Sequence, residues 1–269
     1  MAHDRNPKFI VFADKLASRF YIQSKIGNGY LPRIFFVGSN LDEESFDKLP
    51  TNIAIKVNHA SGGVLLRHSE APLSRGRFKP KENFPRIMLN SREINYSLAR
   101  SLTDSWLSRR YENEVGSGYE WAYSQINPQL FAEEFINSES ISFATDFKFF
   151  VFREKCPYFL VIEKTKDQVH KRMYDEHGTR LKAFPREHFI GEERIQISPV
   201  LQNMMKLAVT LADGIDHLRV DFFVDNDRVY VGELTPYDAG GVRVCTRNFE
   251  RYAGSFWHPD WKGVKRNST

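Results

Sequence analysis

The sequence has little cysteine and no long apolar run, and both absences narrow the choice of protein class. Only Cys156 and Cys245 occur among 269 residues, too few for a disulfide framework or a cysteine-based zinc site. The apolar stretch 9–13 is five residues long, whereas a membrane-spanning helix needs about 18. No apolar leader of sufficient length is visible. The sequence therefore predicts a cytoplasmic protein with two reduced cysteines and no membrane span.

Several catalytic and binding motifs are also absent. There is no Gly-x-Ser-x-Gly elbow of a serine hydrolase, no helical histidine pattern of a transition-metal site, and no Gly-Lys-Ser/Thr of a P-loop. The 38 basic residues exceed the 34 acidic ones by only four and are scattered, so nucleic acid is not the expected partner. With 41% hydrophobic residues, the chain can build a substantial core, and its length predicts one large domain or two lobes.

Hydrophobic periodicity predicts alternating helices and strands. A segment with three prolines and six basic residues, 71–92, is expected to be an irregular loop, and the last twenty residues carry no clear pattern. Strands 130–136 and 146–163 are expected in a second sheet, with Pro157 in a turn. The other predicted elements are helices 13–26, 94–110 and 200–212, and strands 30–37, 53–57, 64–66, 218–224 and 228–234.

The last two predicted strands form a hairpin whose geometry can be worked out. With residues 225–227 as a three-residue loop, Asp221 lies opposite Val231 and Arg219 lies opposite Glu233, all on one face. On the diagonal, Asp221 and Glu233 would be about 7–8 Å apart, close enough to share a divalent cation such as Mg²⁺. Arg219 could neutralise an oxyanion beside it. The alternative is a solvated sheet face with an ordinary cross-strand ion pair.

Two further segments could meet an anion. The turn 60–63 follows a strand and contains two glycines, so its backbone N–H groups could form an anion-binding nest beside Lys56; a plain hairpin turn is the alternative. A basic stretch could act as a lid over an anionic substrate, or it could be a solvated loop. Its residues are Lys164, Lys166, His170, Lys171 and Arg172.

Taken in order, these segments resemble the nucleotide-site motifs of the ATP-grasp superfamily. The match is closest to the TupA-like ATP-grasp proteins, which are named for teichuronopeptide synthesis. The superfamily motifs are Asp14-Lys15, Ile55-Lys56, Glu133-Glu-Phe-Ile136, Arg219-Val-Asp221 and Gly232-Glu-Leu-Thr235. The TupA-like stretches are Asn58-His-Ala-Ser-Gly-Gly63, Glu120-Trp-Ala-Tyr123, Ala132-Glu-Glu-Phe135, Asp146-Phe-Lys-Phe-Phe150, His170-Lys-Arg172 and Arg219-Val-Asp-Phe222.

The resemblance implies an α+β ATP-grasp fold, in which two α/β lobes with mainly antiparallel sheets bind the nucleotide between them. It divides the chain into a short N-terminal helical segment, 1–50, and two lobes. Lobe 51–130 would carry the glycine-rich phosphate loop, and lobe 131–269 would carry the adenine strand and the metal-binding hairpin.

The resemblance also implies how the nucleotide is held. Lysines from both sides of the cleft would bind the ATP phosphates, a glycine loop would close over them, and a strand between the lobes would bind adenine through its backbone. These nucleotide-binding residues are Lys15, Lys56, Ser61, Gly62, Gly63, Glu133, Glu134, Phe135 and Ile136.

Metal and catalytic roles follow from the same resemblance. Asp221 and Glu233 would bind Mg²⁺, or alternatively Mn²⁺, with Thr235 standing where many members have asparagine. Arg219 would steady an acyl phosphate or tetrahedral oxyanion, and Lys148 would touch the nucleotide or the substrate. The substrate-binding residues would be His170, Lys171 and Arg172.

The implied reaction is ATP-dependent ligation, with ADP and phosphate as products. An amino acid or other carboxylate would become an acyl phosphate, and an amine or thiol of a sugar, peptide or carrier protein would capture it, in cell-surface polymer or natural-product biosynthesis. The alternatives are a phosphotransferase on the same fold, a glycosyltransferase as relatives are often labelled, and a non-catalytic MgATP-binding partner protein.

Overall fold

A computed structural model describes residues 5–73, 84–111, 120–136, 145–164, 169–185, 193–241 and 243–258. Within these ranges the chain forms two sheets with helices packed against them. The longest helix of the described ranges has 13 residues, and none there has the length and hydrophobicity needed to cross a membrane.

The first sheet has five strands. In chain order these are β1 (Ile34–Gly38), β2 (Ile53–Val57), β3 (Val64–His68), β4 (Arg86–Asn90) and β5 (Leu130–Glu134). Their order in the sheet is β1-β5-β2-β3-β4, antiparallel except for the parallel pair β3 and β4. The strands are short and apolar, and two helices cover the sheet, so this lobe has a core of its own.

The second sheet has six antiparallel strands. They are β6 (Thr145–Phe152), β7 (Lys155–Lys164), β8 (Val169–Asp175), β9 (Arg180–Leu181), β10 (Leu218–Asp225) and β11 (Arg228–Thr235). Their order is β11-β10-β6-β7-β8-β9. Alternation sends Phe149, Val151 and Phe222 into the main core on one face. The other face carries Phe150 and Phe152 together with the charged residues of the candidate site.

Six helices complete the described structure. Helix α5, Pro199–Leu211, begins at a proline. The hydroxyl of Ser198 caps it by accepting a hydrogen bond from the Leu201 N–H at 3.2 Å. Helices α1, α2 and α5 pack on the main core of the second sheet, α3 and α4 on the first sheet, and α6 on the charged face of the second. Their bounds are α1 Lys8–Ala13, α2 Ala17–Ile26, α3 Glu43–Asp47, α4 Tyr96–Leu107, α5 Pro199–Leu211 and α6 Arg247–Gly254.

The α+β content and two mainly antiparallel sheets confirm the predicted fold class. Strand β2 has the predicted bounds, and α4, α5 and the hairpin strands lie within a few residues of theirs. The predicted helix 13–26 is wrong in its first part, because the chain turns at Asp14 between α1 and α2. There the Asp14 carboxylate accepts hydrogen bonds from the N–H groups of Leu16 and Ala17 at 2.8 and 3.2 Å.

Three other expectations differ from the structure. Strand β5 lies in the first sheet, not the second, because it pairs with both β1 and β2; the predicted lobe boundary at 130/131 therefore falls at its first residue. Pro157 lies inside β7, not in a turn. Segment 71–92 contains β4, which pairs with β3, while its residues 74–83 lie outside the described ranges.

Candidate functional site

The charged face of the second sheet brings the predicted metal and catalytic residues together. Strand β10 lies between β11 and β6, and Asp221 pairs with Glu233 on one side and with Lys148 on the other. Arg219 pairs with Thr235 in the neighbouring row. All five predicted residues therefore lie on two adjacent rows of one sheet face.

The hairpin reaches this arrangement by a register that differs from the predicted one. Its turn has two residues, Asn226 and Asp227, both with positive φ, as in a type I′ turn. Phe222 pairs with Val231, but Asp221 pairs with Glu233, so Gly232 is an extra residue in the strand. The expected pairing of Asp221 with Val231 is thus wrong, and Val231 packs into the main core instead.

Arg219 and Asp221 form the centre of the site. The guanidinium donates from Nε to Asp221 Oδ1 at 2.7 Å and from Nη2 to Oδ2 at 2.8 Å. Asp221 is only 2% exposed. Burial alone would raise the pKa of this carboxyl, but the positive charges of Arg219 and Lys148 outweigh burial and hold the pKa below its usual value. The pair is therefore ionised on both sides at neutral pH.

Lys148 lies between two carboxylates. Its ammonium donates to Asp221 and forms an ion pair with Asp146 at 3.1 Å. Burial would lower the pKa of Lys148, but these two carboxylates outweigh burial and raise it. Lys148 thus stays positively charged beside Asp221, where an anionic ligand would meet it.

Sequence reasoning missed Asp238 and Arg243, which extend the network beyond the hairpin. Asp238 accepts hydrogen bonds from Arg219 and from Arg243, the latter from Nη2 at 2.9 Å. Arg219 also donates to the Thr235 hydroxyl at 3.0 Å. The sequence contained one signal for Asp238, its position three residues after the predicted metal motif, in the glycine-containing sequence 236–241.

Lys15 approaches from the opposite side of the site. Its ammonium donates to the backbone carbonyls of Val57, at 3.3 Å, and Ala60. Burial lowers the pKa of Lys15 to about 8, although the carboxylate of Glu233 acts in the opposite direction. Lys15 and Glu233 therefore lie close enough for their charges to interact, which links the N-terminal segment to the hairpin.

Lys56 and Arg19 both form ion pairs with Glu133, at 2.8 Å in the case of Arg19. The Glu133 side chain is buried, and its backbone lies between β1 and β2 in the first sheet. The ladder ends where Glu134 pairs with Ile53. Phe135 and Ile136, which follow, are the members of the predicted adenine segment that lie beyond the ladder.

The glycine turn is packed closely against its neighbours. A Cβ on Gly62 would lie 1.9 Å from the backbone oxygen of Phe84, and Gly63 has a φ of +65°. Ser61 is exposed, and its carbonyl accepts a hydrogen bond from Arg86 at 3.0 Å. Only glycine fits at these two positions, which explains the Gly-Gly sequence in structural terms.

Glu120 is a further residue that was not predicted as part of the site, although it lies in one of the TupA-like stretches. Burial and the nearby charge of Glu233 raise the pKa of Glu120 to about 7, against the opposing effect of Arg219. Glu120, Tyr123 and Glu233 line one small cavity with Thr235. Glu120 is thus a further carboxyl at the site, close to half protonated at neutral pH.

The basic stretch is a strand where the structure describes it, not a loop. Lys171 follows the alternation of Met173 and lies on the charged face. His170 and Arg172 lie on the opposite face, where Arg172 forms an ion pair with Glu163. Neither shares a face with Asp221, and the side chain of Lys164 and residue Lys166 lie outside the described structure.

The donor set at the hairpin suits a hard divalent cation. Asp221 and Glu233 are carboxylates on paired residues, and Thr235 adds a hydroxyl. The Glu233 side chain is 34% exposed, and its carboxylate lies 3.5 Å from the guanidinium of Arg219. Among the residues with described positions, no three His, Cys, Asp or Glu side chains converge on one point. A cation here would take one or two carboxylates and fill its other positions with water or phosphate oxygens, as Mg²⁺ does.

A family model described as TupA-like ATPgrasp matches residues 1–257. A search of curated proteins finds no match.

Among solved structures, D-alanine–D-alanine ligase from Bacillus anthracis complexed with ATP is 14% identical, with 91% of this chain and 61% of that chain covered and a TM-score of 0.49. The ATP-grasp ligase PsnB complexed with minimal precursor is also 14% identical, covering 91% and 57%, with a TM-score of 0.44. N5-carboxyaminoimidazole ribonucleotide synthetase from Thermus thermophilus is 11% identical, covering 86% and 47%, with a TM-score of 0.42. The chain spans about three fifths of the length of the first two.

Proposed function

Because the chain belongs to the TupA-like ATP-grasp family, we propose that it is an ATP-dependent ligase that activates a carboxylate as an acyl phosphate. The observation that carries this proposal is the buried Arg219–Asp221 pair, which holds a guanidinium and a carboxylate on the same sheet face as Lys148 and Glu233. Phosphoryl transfer needs positioning and charge neutralisation more than covalent chemistry. The alternating positive and negative side chains of this sheet face, held in place by their ion pairs, supply both the positioning and the charge neutralisation.

The cations provide the phosphate site. Lys15 approaches from the N-terminal segment, Lys56 from the first lobe and Lys148 from the second. Lys15 donates to the carbonyl of Ala60, at the start of the turn that contains Ser61, Gly62 and Gly63, and we propose that its ammonium also binds phosphate oxygens there. Adenine would lie against the backbone of residues 135–136, beyond the paired part of β5.

Asp221, Glu233 and Thr235 would hold Mg²⁺. The ionised Asp221 carboxylate has about four lone-pair sites, and three of them accept hydrogen bonds from Arg219 and Lys148, which leaves one on Oδ1. When bound, Mg²⁺ would supply charge neutralisation at the phosphate oxygens. The surrounding residues keep Asp221 ionised and fixed in orientation.

In the proposed reaction, a carboxylate oxygen of the substrate attacks the γ-phosphorus of ATP, and the bond from that phosphorus to the ADP oxygen breaks. A nucleophile then attacks the acyl carbon, and inorganic phosphate leaves. Arg219 would neutralise the charge that develops on the acyl oxygen, because its guanidinium is fully ionised and held in place. Lys171, on the same sheet face, would meet the anionic part of the substrate.

A hydroxylamine trap tests the proposed function. The full chain is incubated with MgATP, pooled amino acids and hydroxylamine, and the products are identified by mass. ADP together with a hydroxamate supports acyl-phosphate ligation and names the carboxylate. AMP would refute it, and a phosphorylated product without hydroxamate would indicate a phosphotransferase.

Two variants sharpen that experiment. Asp221→Asn should abolish hydroxamate formation, whereas Asp227→Asn, in the hairpin turn, should leave it unchanged. Mg²⁺-dependent ATP binding by the native chain without any nucleotide product from pooled carboxylates would favour a non-catalytic nucleotide-binding protein.

A further inference from the structure

A cavity of about 340 Å³ lies on the charged face of the second sheet. Phe150, Phe152 and Tyr158 form its floor, and Phe249 and Ala253 of α6 form its roof. Its volume is within the roughly 300–1,000 Å³ of ordinary small-molecule sites. Its aromatic walls suit a flat apolar group.

The cavity adjoins the catalytic centre. Phe150 pairs with Arg219 across neighbouring strands. The cavity is also lined by Arg243 and by Asp238, which forms ion pairs with both Arg219 and Arg243. The cavity lies next to the row of paired residues that contains Arg219, not next to the row that contains Asp221. A molecule bound here would meet the Arg219 end of the site, where the acyl group would lie.

The charged groups at the cavity favour a cation. Arg243 is neutralised by Asp238, whereas the carboxylates of Asp216 and Glu250 form no ion pair with any residue in the described ranges. Among the described residues that line the cavity, the uncompensated charge is therefore negative. An ammonium group would be attracted, and a second carboxylate would be repelled.

His217 adds a hydrogen-bond acceptor to the cavity wall. Its Nδ1 lies 3.0 Å from the carbonyl oxygen of Pro236, and because a carbonyl only accepts, Nδ1 carries the proton and donates. Burial lowers the pKa of His217, so the ring is neutral near pH 7. Its Nε2 then carries a lone pair that can accept from an N–H group of a ligand.

We propose that this cavity binds the nucleophilic substrate, a primary amine carried on an aromatic or similarly flat apolar body. The proposal rests on the ligase function above and specifies the chemical class of its second substrate. The aromatic rings bind the body, and the acidic rim attracts the ammonium form. The ammonium gives up one proton, which the Nε2 lone pair of His217 can accept, and the neutral amine then attacks the acyl carbon as inorganic phosphate leaves. The neighbouring Arg219 places the acyl phosphate next to that amine.

Two matched probes test the proposal by calorimetry on the full chain. Phenethylamine and 3-phenylpropionate have similar bodies and opposite charges. We expect phenethylamine to bind at least about tenfold more tightly than 3-phenylpropionate. Equal affinity, tighter binding of the acid, or no binding of either probe would overturn the proposal.

Variants locate the binding. Ala253→Phe fills the cavity from α6 and should weaken phenethylamine binding at least about tenfold, whereas Ser255→Phe adds the same ring at an exposed position of the same helix end and should not. Glu250→Gln, at an exposed residue, should weaken binding without affecting folding. Unchanged phenethylamine binding in Glu250→Gln and in a folded Ala253→Phe chain would contradict the assignment.

The role as nucleophile is tested separately. Phenethylamine replaces hydroxylamine in the ATP reaction, and the expected product is the amide. If hydroxamate forms but the amide does not, the ligase function stands and the cavity assignment falls. If phenethylamine binds but no ADP is formed with any carboxylate and either nucleophile, the ligase function falls while the binding site stands.

Discussion

Asp221 and Glu233 lie directly opposite each other on paired strands because Gly232 is an additional residue in β11. If Gly232 were paired in a regular ladder instead, Glu233 would lie opposite Val220 and point into the main core, where Val231 and Leu234 pack. A Cβ on Gly232 would lie 2.4 Å from the ring of Phe223, so glycine suits the position. The bulge therefore places both carboxylates on the charged face.

Arg219→Lys tests whether the two parallel hydrogen bonds of the guanidinium matter in addition to its positive charge. Lysine keeps the positive charge but cannot bind Asp221 through two parallel hydrogen bonds. We expect ADP formation to fall about 10²-fold, the loss typical of removing a positioned donor. Arg228→Lys, an exposed change on the same hairpin, is the matched control, and equal losses in both variants would argue against a special role for Arg219.

Lys15 should take up a proton when the nucleotide binds. Its pKa of about 8 means that it is roughly half protonated at pH 8, and an anion beside it favours the protonated form. Calorimetry of MgATP binding at pH 8 in buffers of different ionisation enthalpy should show net uptake, and affinity should fall as pH rises above about 8. Lys15→Arg stays charged, so it should abolish the uptake; undiminished uptake would contradict the assignment.

Gly62→Ala should destabilise the first lobe. The added Cβ would lie 1.9 Å from the backbone oxygen of Phe84, and a backbone atom cannot move aside as a flexible side chain can. We expect a loss of about 1–3 kcal/mol in the free energy of unfolding, measured by urea denaturation. Gly29→Ala, where no atom lies within 4 Å of the new Cβ, should change stability much less.

Glu120→Gln should alter the pH dependence of stability. The pKa of Glu120 in the folded chain is about 7, above the ordinary value of 4.5, so the folded state binds more protons between these values and stability falls as pH rises through that range. Glutamine removes this penalty. Melting temperature should therefore rise at pH 8 and change little at pH 4, and a shift of the same size at both values would contradict the assigned cause.

The structure places Arg219, Asp221 and Glu233 on one sheet face, as the sequence predicted, but their pairing differs from the predicted one. Asp221, Glu233 and Arg219 were recognisable because they alternate within two β-rich runs joined by a turn. The register of the hairpin was not recognisable, because the same sequence is compatible with a three-residue loop and with a two-residue loop followed by a bulge. The choice between them depends on the packing of Gly232 against Phe223.

Residues that join the site only through tertiary contacts were harder to predict from the sequence than the hairpin residues. Asp238 and Arg243 follow the hairpin in the chain, and only the fold brings Asp238 into contact with Arg219 and Arg243 into contact with Asp238. The assignment of β5 to the second sheet was wrong for a related reason, since strand propensity carries no information about which strand will be the partner.

The central claim is that a substrate carboxylate attacks the γ-phosphorus of ATP, and oxygen transfer tests it most directly. Pooled amino acids labelled with ¹⁸O in their carboxyl groups are incubated with the full chain, MgATP and hydroxylamine, and the released phosphate is analysed by mass. An acyl-phosphate mechanism predicts ADP and phosphate that carries one carboxylate oxygen. ADP with unlabelled phosphate would mean that water or another hydroxyl attacks ATP, and would contradict the account.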